Sequence, residues 1–208
     1  MANSTFAGPI RSTGGFTSVS KSSTTGAFTT LSSINSSGIA SFDANKMATE
    51  AGTGITGGTG TVYRSSVIRE GGIITTKILI DLTGLRSTAG GDIIGVDGTS
   101  NVCHIGQITA ARNGTILTGR MTCFEAPSGG DPDINVHSAT EGTGVEDGAI
   151  SSLTETLLVN AGDATLGSEV IFTAVPAADE FLYLTAGDTT DADYTAGKLL
   201  IELLGYEA

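Results

Sequence analysis

The residues of this sequence that could do chemistry are two histidines, two cysteines and a few groups of carboxylates. His104 and Cys123 are the pair that could form a Cys/His nucleophile or half of a zinc site. The dipeptide Asn113-Gly114 lies between two β-rich runs and predicts a type I′ hairpin, in whose register His104 opposes Cys123. Because two further zinc ligands are missing, we expect instead a core histidine packed against a small apolar thiol.

The same register sends Cys103 and Cys123 to opposite faces of the hairpin, since successive side chains of a strand alternate. Two thiols on opposite faces cannot be bridged without moving the backbone, so we expect both cysteines to be free. Cys123 is expected to be buried beside His104 and Met121. The predicted core face of the hairpin consists of Val102, His104, Gly106, Ile108, Ala110, Leu117, Met121 and Cys123.

Carboxylates are densest at Asp188, Asp191 and Asp193. A calcium ion takes about six to eight oxygen ligands, and this loop could supply three of them. The spacing does not match the EF-hand pattern, so a solvated turn is the favoured interpretation. His137 follows the turn-rich segment 129–133, where we expect a surface histidine. We therefore predict neither a metal site nor a cofactor.

The sequence also lacks the motifs of common enzymes. It contains no G-x-S-x-G stretch and no Gly-rich phosphate loop followed by a helix. Catalytic carboxylates acting on sugars would need a cleft lined by aromatic rings, and the chain has 7 Phe, 4 Tyr and no Trp. We predict that the protein is not an enzyme.

The elements that must position these residues are β-strands. Many short β-rich runs with Gly-rich turns, and no amphipathic run of helical period, favour an all-β fold, either a β-sandwich or a jelly roll. Alternation over 73–82 predicts a strand with one buried face, and the continuous apolar run 197–205 predicts a central strand. The predicted strands span 61–69, 73–82, 92–96, 102–111, 115–125, 152–160, 169–175, 181–186 and 198–206.

Charge and length limit the possible partners. The chain has 208 residues and a formal net charge of -12, which argues against an extended phosphate-binding surface and so against nucleic acid as a partner. No run of about 18 apolar residues and no signal-peptide core occur, so we expect no membrane partner. Two cysteines are too few for a disulfide framework, so we expect a soluble protein made in a reducing cytosol.

The first 42 residues differ from the rest of the chain. They contain 11 Ser, 7 Thr and 5 Gly, their only charged side chains are Arg11 and Lys21, and the first carboxylate is Asp43. Apolar side chains are scattered singly, so this segment cannot build a core of its own. We therefore divide the chain into an extended N-terminal arm with first strands, 1–42, and a β-sandwich body, 43–208. The alternative for the first segment is a frayed N-terminus.

Several stretches taken together resemble a group of tailed-phage virion proteins, common in marine phages, that are similar to capsid decoration or cement proteins. The resemblance implies a β-sandwich or jelly-roll body that is self-associated, with a trimer favoured, and a terminal arm on the major capsid protein. Within the arm, the expected capsid-binding residues are Phe6, Pro9, Ile10, Arg11 and Phe16. The stretches are MANSTFAGPIRSTGGF, HIGQIT, NGTILTGRMTC, GTGV, PAADEFLYLTAGD and YTAGKLLIELLGY.

The resemblance implies a phage capsid decoration protein, located on the outer surface of the head in the virion, that stabilises the capsid lattice. An alternative is a head-fibre or tail protein that binds a host-surface glycan or receptor. A virion hydrolase is a third possibility, disfavoured because no acid/base constellation is present.

Overall fold

The computed structural model of this chain describes residues 16–21, 28–34, 40–42 and 48–207. The chain divides into two units, residues 1–44 and residues 45–208. In the first unit, strands β1 (Phe16–Lys21), β2 (Phe28–Ile34) and β3 (Ala40–Phe42) form an antiparallel sheet in the order β1-β2-β3. The strands of this Ser/Thr-rich segment therefore pair with one another.

The second unit confirms the all-β prediction. Its helical elements are single turns, α1 (Thr53–Thr56), α2 (Ala110–Asn113) and a 3-10 turn (Ile150–Ser152). No helix in the described part of the chain is long and apolar enough to cross a membrane. The strands are β4 (Val62–Glu70), β5 (Ile73–Asp81), β6 (Arg86–Ser87), β7 (Gly106–Gln107), β8 (Thr115–Ser128), β9 (Ile134–Ala139), β10 (Glu155–Val159), β11 (Glu169–Ile171), β12 (Phe181–Ala186), β13 (Ala192–Asp193) and β14 (Ala196–Tyr206).

Strand β14 is the centre of a five-stranded antiparallel sheet with the order β11-β8-β14-β5-β4. The prediction of a central strand over 197–205 is confirmed. Leu199, Ile201 and Leu203 point into the core and are at most 1% exposed. The alternation predicted for 73–82 is also confirmed, since Ile74, Thr76, Ile78, Ile80 and Leu82 are all buried.

A second antiparallel sheet has the order β10-β9-β12-β7. Its apolar side chains, including Val136, Leu158 and Leu184, belong to the same hydrophobic cluster as Ile78, Met121 and Ile201 of the five-stranded sheet. The two sheets share one core, which is the arrangement of a β-sandwich. A short pair, β6 with β13, lies beside them.

The predicted hairpin at Asn113-Gly114 is wrong. Asn113 ends helix α2 and is completely buried, and Gly114 alone has positive φ, at 68°. The Asn113 side chain accepts from the Thr109 amide at 2.9 Å and donates to the Thr76 hydroxyl at 2.8 Å. The side chain thus closes the helical turn onto strand β5, a tertiary role that competes with the local turn preference of the dipeptide.

Loss of the hairpin also corrects the predicted core face. Ala110 is exposed and Leu117 is 55% exposed, whereas Cys103 and Ile105 are buried. Residue Leu117 lies at a bulge, because Gly205 pairs with Ile116 while the preceding residue pairs with Thr118. An extra residue in one strand reverses the side-chain alternation beyond it.

Other strand predictions differ from the structure at sheet edges and at one central strand. Only isolated bridges occur within 92–96, and 102–111 contains just the two-residue strand β7. Strand β9 was missed because its sequence, INVHSA, mixes polar with apolar residues. It lies between β10 and β12, where His137 contacts Glu155 and Asn135 accepts from the Ala161 amide, while the Ser138 hydroxyl is buried without a hydrogen-bond partner.

We expect Asn113→Ala to lower the free energy of unfolding by about 2–4 kcal/mol, because it leaves the Thr109 amide and the Thr76 hydroxyl without their partner. Chemical denaturation followed by circular dichroism measures the change. The matched control is Asn160→Ala at an exposed position, which should change stability by less than about 0.5 kcal/mol. Equal effects of the two substitutions would contradict the structural role of Asn113.

Candidate functional site

His104 and Cys123 are not partners. The His104 ring packs against Phe181, with ring centroids 5.0 Å apart, and its buried Nδ1 atom has no hydrogen-bond partner. Burial lowers the pKa of His104. Cys123 lies on β8 opposite Leu199 of β14. The expected contact across a hairpin is therefore wrong, because the hairpin does not exist.

Cys103 and Cys123 are both free thiols, as predicted, but both are buried, so the expectation that they face opposite sides of a hairpin is wrong. Burial raises the pKa of Cys103 to about 11 and also raises the pKa of Cys123. The reactive form of cysteine is the thiolate. Neither thiol is therefore activated as a nucleophile at neutral pH.

The surface position expected for His137 is also wrong. His137 lies in β9, is 8% exposed, and has its Nδ1 atom 2.7 Å from a carboxylate oxygen of Glu155 in β10. The contact joins two neighbouring strands across the second sheet. This histidine therefore joins two neighbouring strands through a side-chain hydrogen bond.

The three aspartates of the loop, Asp188, Asp191 and Asp193, have two structural roles. Arg86 of β6 contacts Asp191 at 2.8 Å and Asp193 at 2.9 Å, while Asp188 donates its backbone amide to Asp131 at 2.7 Å. A guanidinium thus supplies the positive charge at the loop. Within the described residues, no group of three or more His, Cys, Asp or Glu side chains could hold a metal ion.

Asp131 is fully buried and joins several loops. Its carboxylate accepts from the amides of Asp133, at 3.0 Å, and Asp188, at 2.7 Å, while its own amide donates to Ser87 at 2.9 Å. The Tyr194 hydroxyl donates to its carbonyl at 2.8 Å. Buried hydrogen bonds of this kind fix loops that have no strand partner.

The side chain of Asp133, close to Asp131, has fewer hydrogen-bond partners than that of Asp131. Its Oδ1 atom is buried without a hydrogen-bond partner. Burial raises the pKa of Asp133, and the nearby charges of Asp131, Asp188 and Asp163 raise it further. The ionised form of Asp133 therefore destabilises the folded state.

The broadest feature of the described surface is the side of the five-stranded sheet that points away from the core, which we call the outer sheet face. Six of the eleven exposed large hydrophobic side chains among the described residues occupy its outward positions. Apolar side chains concentrated on one flat face are typical of an interaction surface. The six are Val62, Ile68, Ile73, Ile171, Leu204 and Tyr206.

A chain of ion pairs crosses the outer sheet face over four adjacent strands. Arg120 of β8 contacts Glu169 of β11 at 3.0 Å and Glu202 of β14 at 2.5 Å, and Lys77 of β5 contacts Glu202 at 3.2 Å. Burial by itself raises the pKa of Glu202, but hydrogen bonds and charges from Arg120 and Lys77 bring it below its ordinary value. Lys198 likewise bridges Glu125 and Asp81.

The outer sheet face is nearly neutral in an acidic protein. Residues 48–207 contain seven Lys and Arg, and four of them lie on this face with five carboxylates. The remainder of 48–207 has three cations and sixteen carboxylates. A shallow pocket of about 290 Å³ between Ile171 and Leu204 also opens on this face.

The predicted capsid-binding residues are not placed by the structure. Phe6, Pro9, Ile10 and Arg11 lie outside the described residues. Phe16 begins β1, but the surroundings of its side chain also lie outside what the structure describes. These residues stay predictions from the sequence and the resemblance.

Comparison with known proteins adds no relative to this description. Neither the models of protein families, nor curated protein sequences, nor solved structures give a match to this chain.

We expect Asp133→Asn to stabilise the protein at pH 7. A carboxyl whose folded pKa is raised is protonated more readily when folded, so its charge lowers stability above that pKa and the cost disappears as pH falls through it. The gain in melting temperature over the native chain should therefore shrink on acidification. Thermal unfolding at a series of pH values measures this.

The control for Asp133→Asn is Glu70→Gln, which removes one negative charge at an exposed position of β4. It should give little change at any of these pH values. A loss of stability for Asp133→Asn at neutral pH would show that its carboxylate is needed, and would contradict this account.

Proposed function

We propose that this protein is a non-catalytic binding protein that decorates the outer surface of a tailed-phage head and reinforces its lattice. The observation that carries the proposal is the division of the chain. A small N-terminal unit, 1–44, has a single carboxylate, whereas the body forms an acidic sandwich with a hydrophobic core drawn from residues 55–203. Such a chain suits attachment by one part and display of the other.

The resemblance of the chain to phage decoration proteins supports the same function. The 15 residues that precede β1 would reach up to roughly 50 Å if fully extended, enough to cross a joint between capsid subunits. The acidic remainder of the body would face solvent, where its negative charge keeps dense neighbouring copies apart. The proposed partner is the major capsid protein.

The alternative of glycan binding receives less support from the described surface. Phe124 and Tyr206 are the large aromatic side chains that are exposed there, at 51% and 38%. Sugar-binding sites use clusters of exposed rings. The side chains that could act as acids, bases or nucleophiles, such as Asp131, His137 and Cys103, are engaged in structural contacts or buried.

We expect Phe6→Ala combined with Ile10→Ala to weaken binding to undecorated heads by at least about 100-fold, because two buried apolar anchors contribute about 3–6 kcal/mol before ordering costs. Arg11→Ala should weaken binding by less than about 5-fold, since a surface ion pair is worth about 0–1 kcal/mol. Pelleting of heads with a labelled full-length chain at moderate salt measures both affinities.

Undiminished decoration by the double variant, with unchanged circular dichroism, would place attachment elsewhere on the chain.

The position on the particle is tested separately by copy number. A decoration protein should be present in hundreds of copies over the head, whereas a receptor-binding protein should be present in a few to tens at the tail or at a vertex.

A further inference from the structure

We propose that the outer sheet face binds the same face of a second copy of this chain through a two-fold axis. The inference concerns association in solution and does not depend on the proposed function. The partner is a second copy of the chain, and that copy contacts β11, β8, β14 and β5.

The ion pairs at the centre of the outer sheet face are complementary to themselves. Across the sheet the charges run Glu169, Arg120, Glu202, Lys77, which is negative, positive, negative, positive. A two-fold axis in the contact plane, parallel to the strands and between β8 and β14, exchanges these two strands. Arg120 of one copy then faces Glu202 of the other, because the two residues are level in the register of β8 and β14. Glu169 is level with Thr122, two positions further along β8, so it lies beside this contact and supports Arg120 within its own copy.

A second row follows the same rule. Lys198 of β14 pairs with Glu125 of β8 within one copy. Because the axis exchanges β8 with β14, Lys198 of one copy faces Glu125 of the other. An isologous contact requires this self-complementarity, in which residue i meets residue j and j meets i.

Electrostatic repulsion between two copies is smallest at the outer sheet face. Two copies of a chain with net charge -12 repel each other over most of their described surface. Outside the outer sheet face, residues 48–207 include sixteen carboxylates and three cations, and of these carboxylates Asp131 and Glu146 are buried. The outer sheet face has four cations and five carboxylates, so it is where two copies can approach at small electrostatic cost. Its charges are already paired, so covering them leaves none isolated.

The face is also large and apolar enough. Strands β11, β8, β14 and β5 have 3, 14, 11 and 9 residues. At about 3.3 Å per residue and about 4.8 Å per strand they give roughly 600 Å² per copy, or roughly 1,200 Å² in total, above the roughly 1,000 Å² expected of a specific interface. Ile171, Leu204 and Tyr206 supply apolar area around the ion pairs. Two such sheets pack face to face as the layers of sandwiches do.

The contact predicts an even-numbered assembly rather than the trimer that the resemblance implies. Sedimentation velocity of the full-length chain over about 1–100 µM should show a concentration-dependent species of twice the chain mass. A chain that stays monomeric over this range, or one that forms only trimers, would overturn the proposal.

Leu204→Lys should weaken self-association at least about 10-fold, because it adds a charge to the apolar part of the contact. Its matched control is Leu157→Lys, on β10 of the other sheet. The two leucines are similarly exposed, Leu204 at 37% and Leu157 at 39%. The control should leave the association constant within about 3-fold of the native value. Equal effects of the two variants would overturn the assignment of the face.

A charge exchange separates contacts between copies from contacts within one copy. Arg120→Glu alone and Glu202→Arg alone each place like charges opposite one another between copies and should weaken association at least about 10-fold. The double variant restores opposite charges between copies, while the new side chains meet like charges at Glu169 and at Lys77 within each copy. Association should therefore return to within about 3-fold of native, although the melting temperature should fall.

If the ion pairs matter only within one copy, the double variant will associate no better than either single variant, and the two-fold arrangement is wrong. Circular dichroism of each variant confirms that the chain remains folded. These substitutions are at outward positions of the sheet, so they leave the core unchanged.

Discussion

The alternation of strand β14 is the constraint on which the rest of the described body depends. Its inward side chains, Leu199, Ile201 and Leu203, are buried in the core, while Lys198 and Glu202 point outward into ion pairs. The strand pairs on both sides, with β5 and with β8. A slip of one residue would place charges in the core and leucines in water, so the register is strongly fixed. The positions on the outer sheet face follow directly from that register.

Away from the sheets, the body depends on buried polar side chains that hold loops in place. Asp131 joins its own loop to the turn at Asp188 and to Tyr194, and Asn113 closes a helical turn onto β5. Each of these side chains replaces backbone hydrogen bonds that irregular segments cannot make among themselves. These polar side chains are therefore used to hold the fold together.

The distribution of charge connects the structure to both proposals. Acidic side chains cover the described body except on the outer sheet face, where cations and carboxylates pair with one another. An acidic surface discourages contact with nucleic acid and with neighbouring molecules of the same sign, while a neutral face permits one specific contact. Attachment through the N-terminal unit and pairing through this face would use different parts of the chain.

The sequence by itself determined the all-β class, strands β5, β12 and β14 to within two residues, and the buried face of β5, because these depend on local period-two patterns. Only the tertiary structure decided that Asn113 ends a helix, that His137 lies in a buried strand, and that the outer sheet face brings its charges together. The pairing of Arg120 with Glu202 joins residues 82 positions apart. No local pattern specifies such a contact, because it depends on which strands become neighbours and in what register.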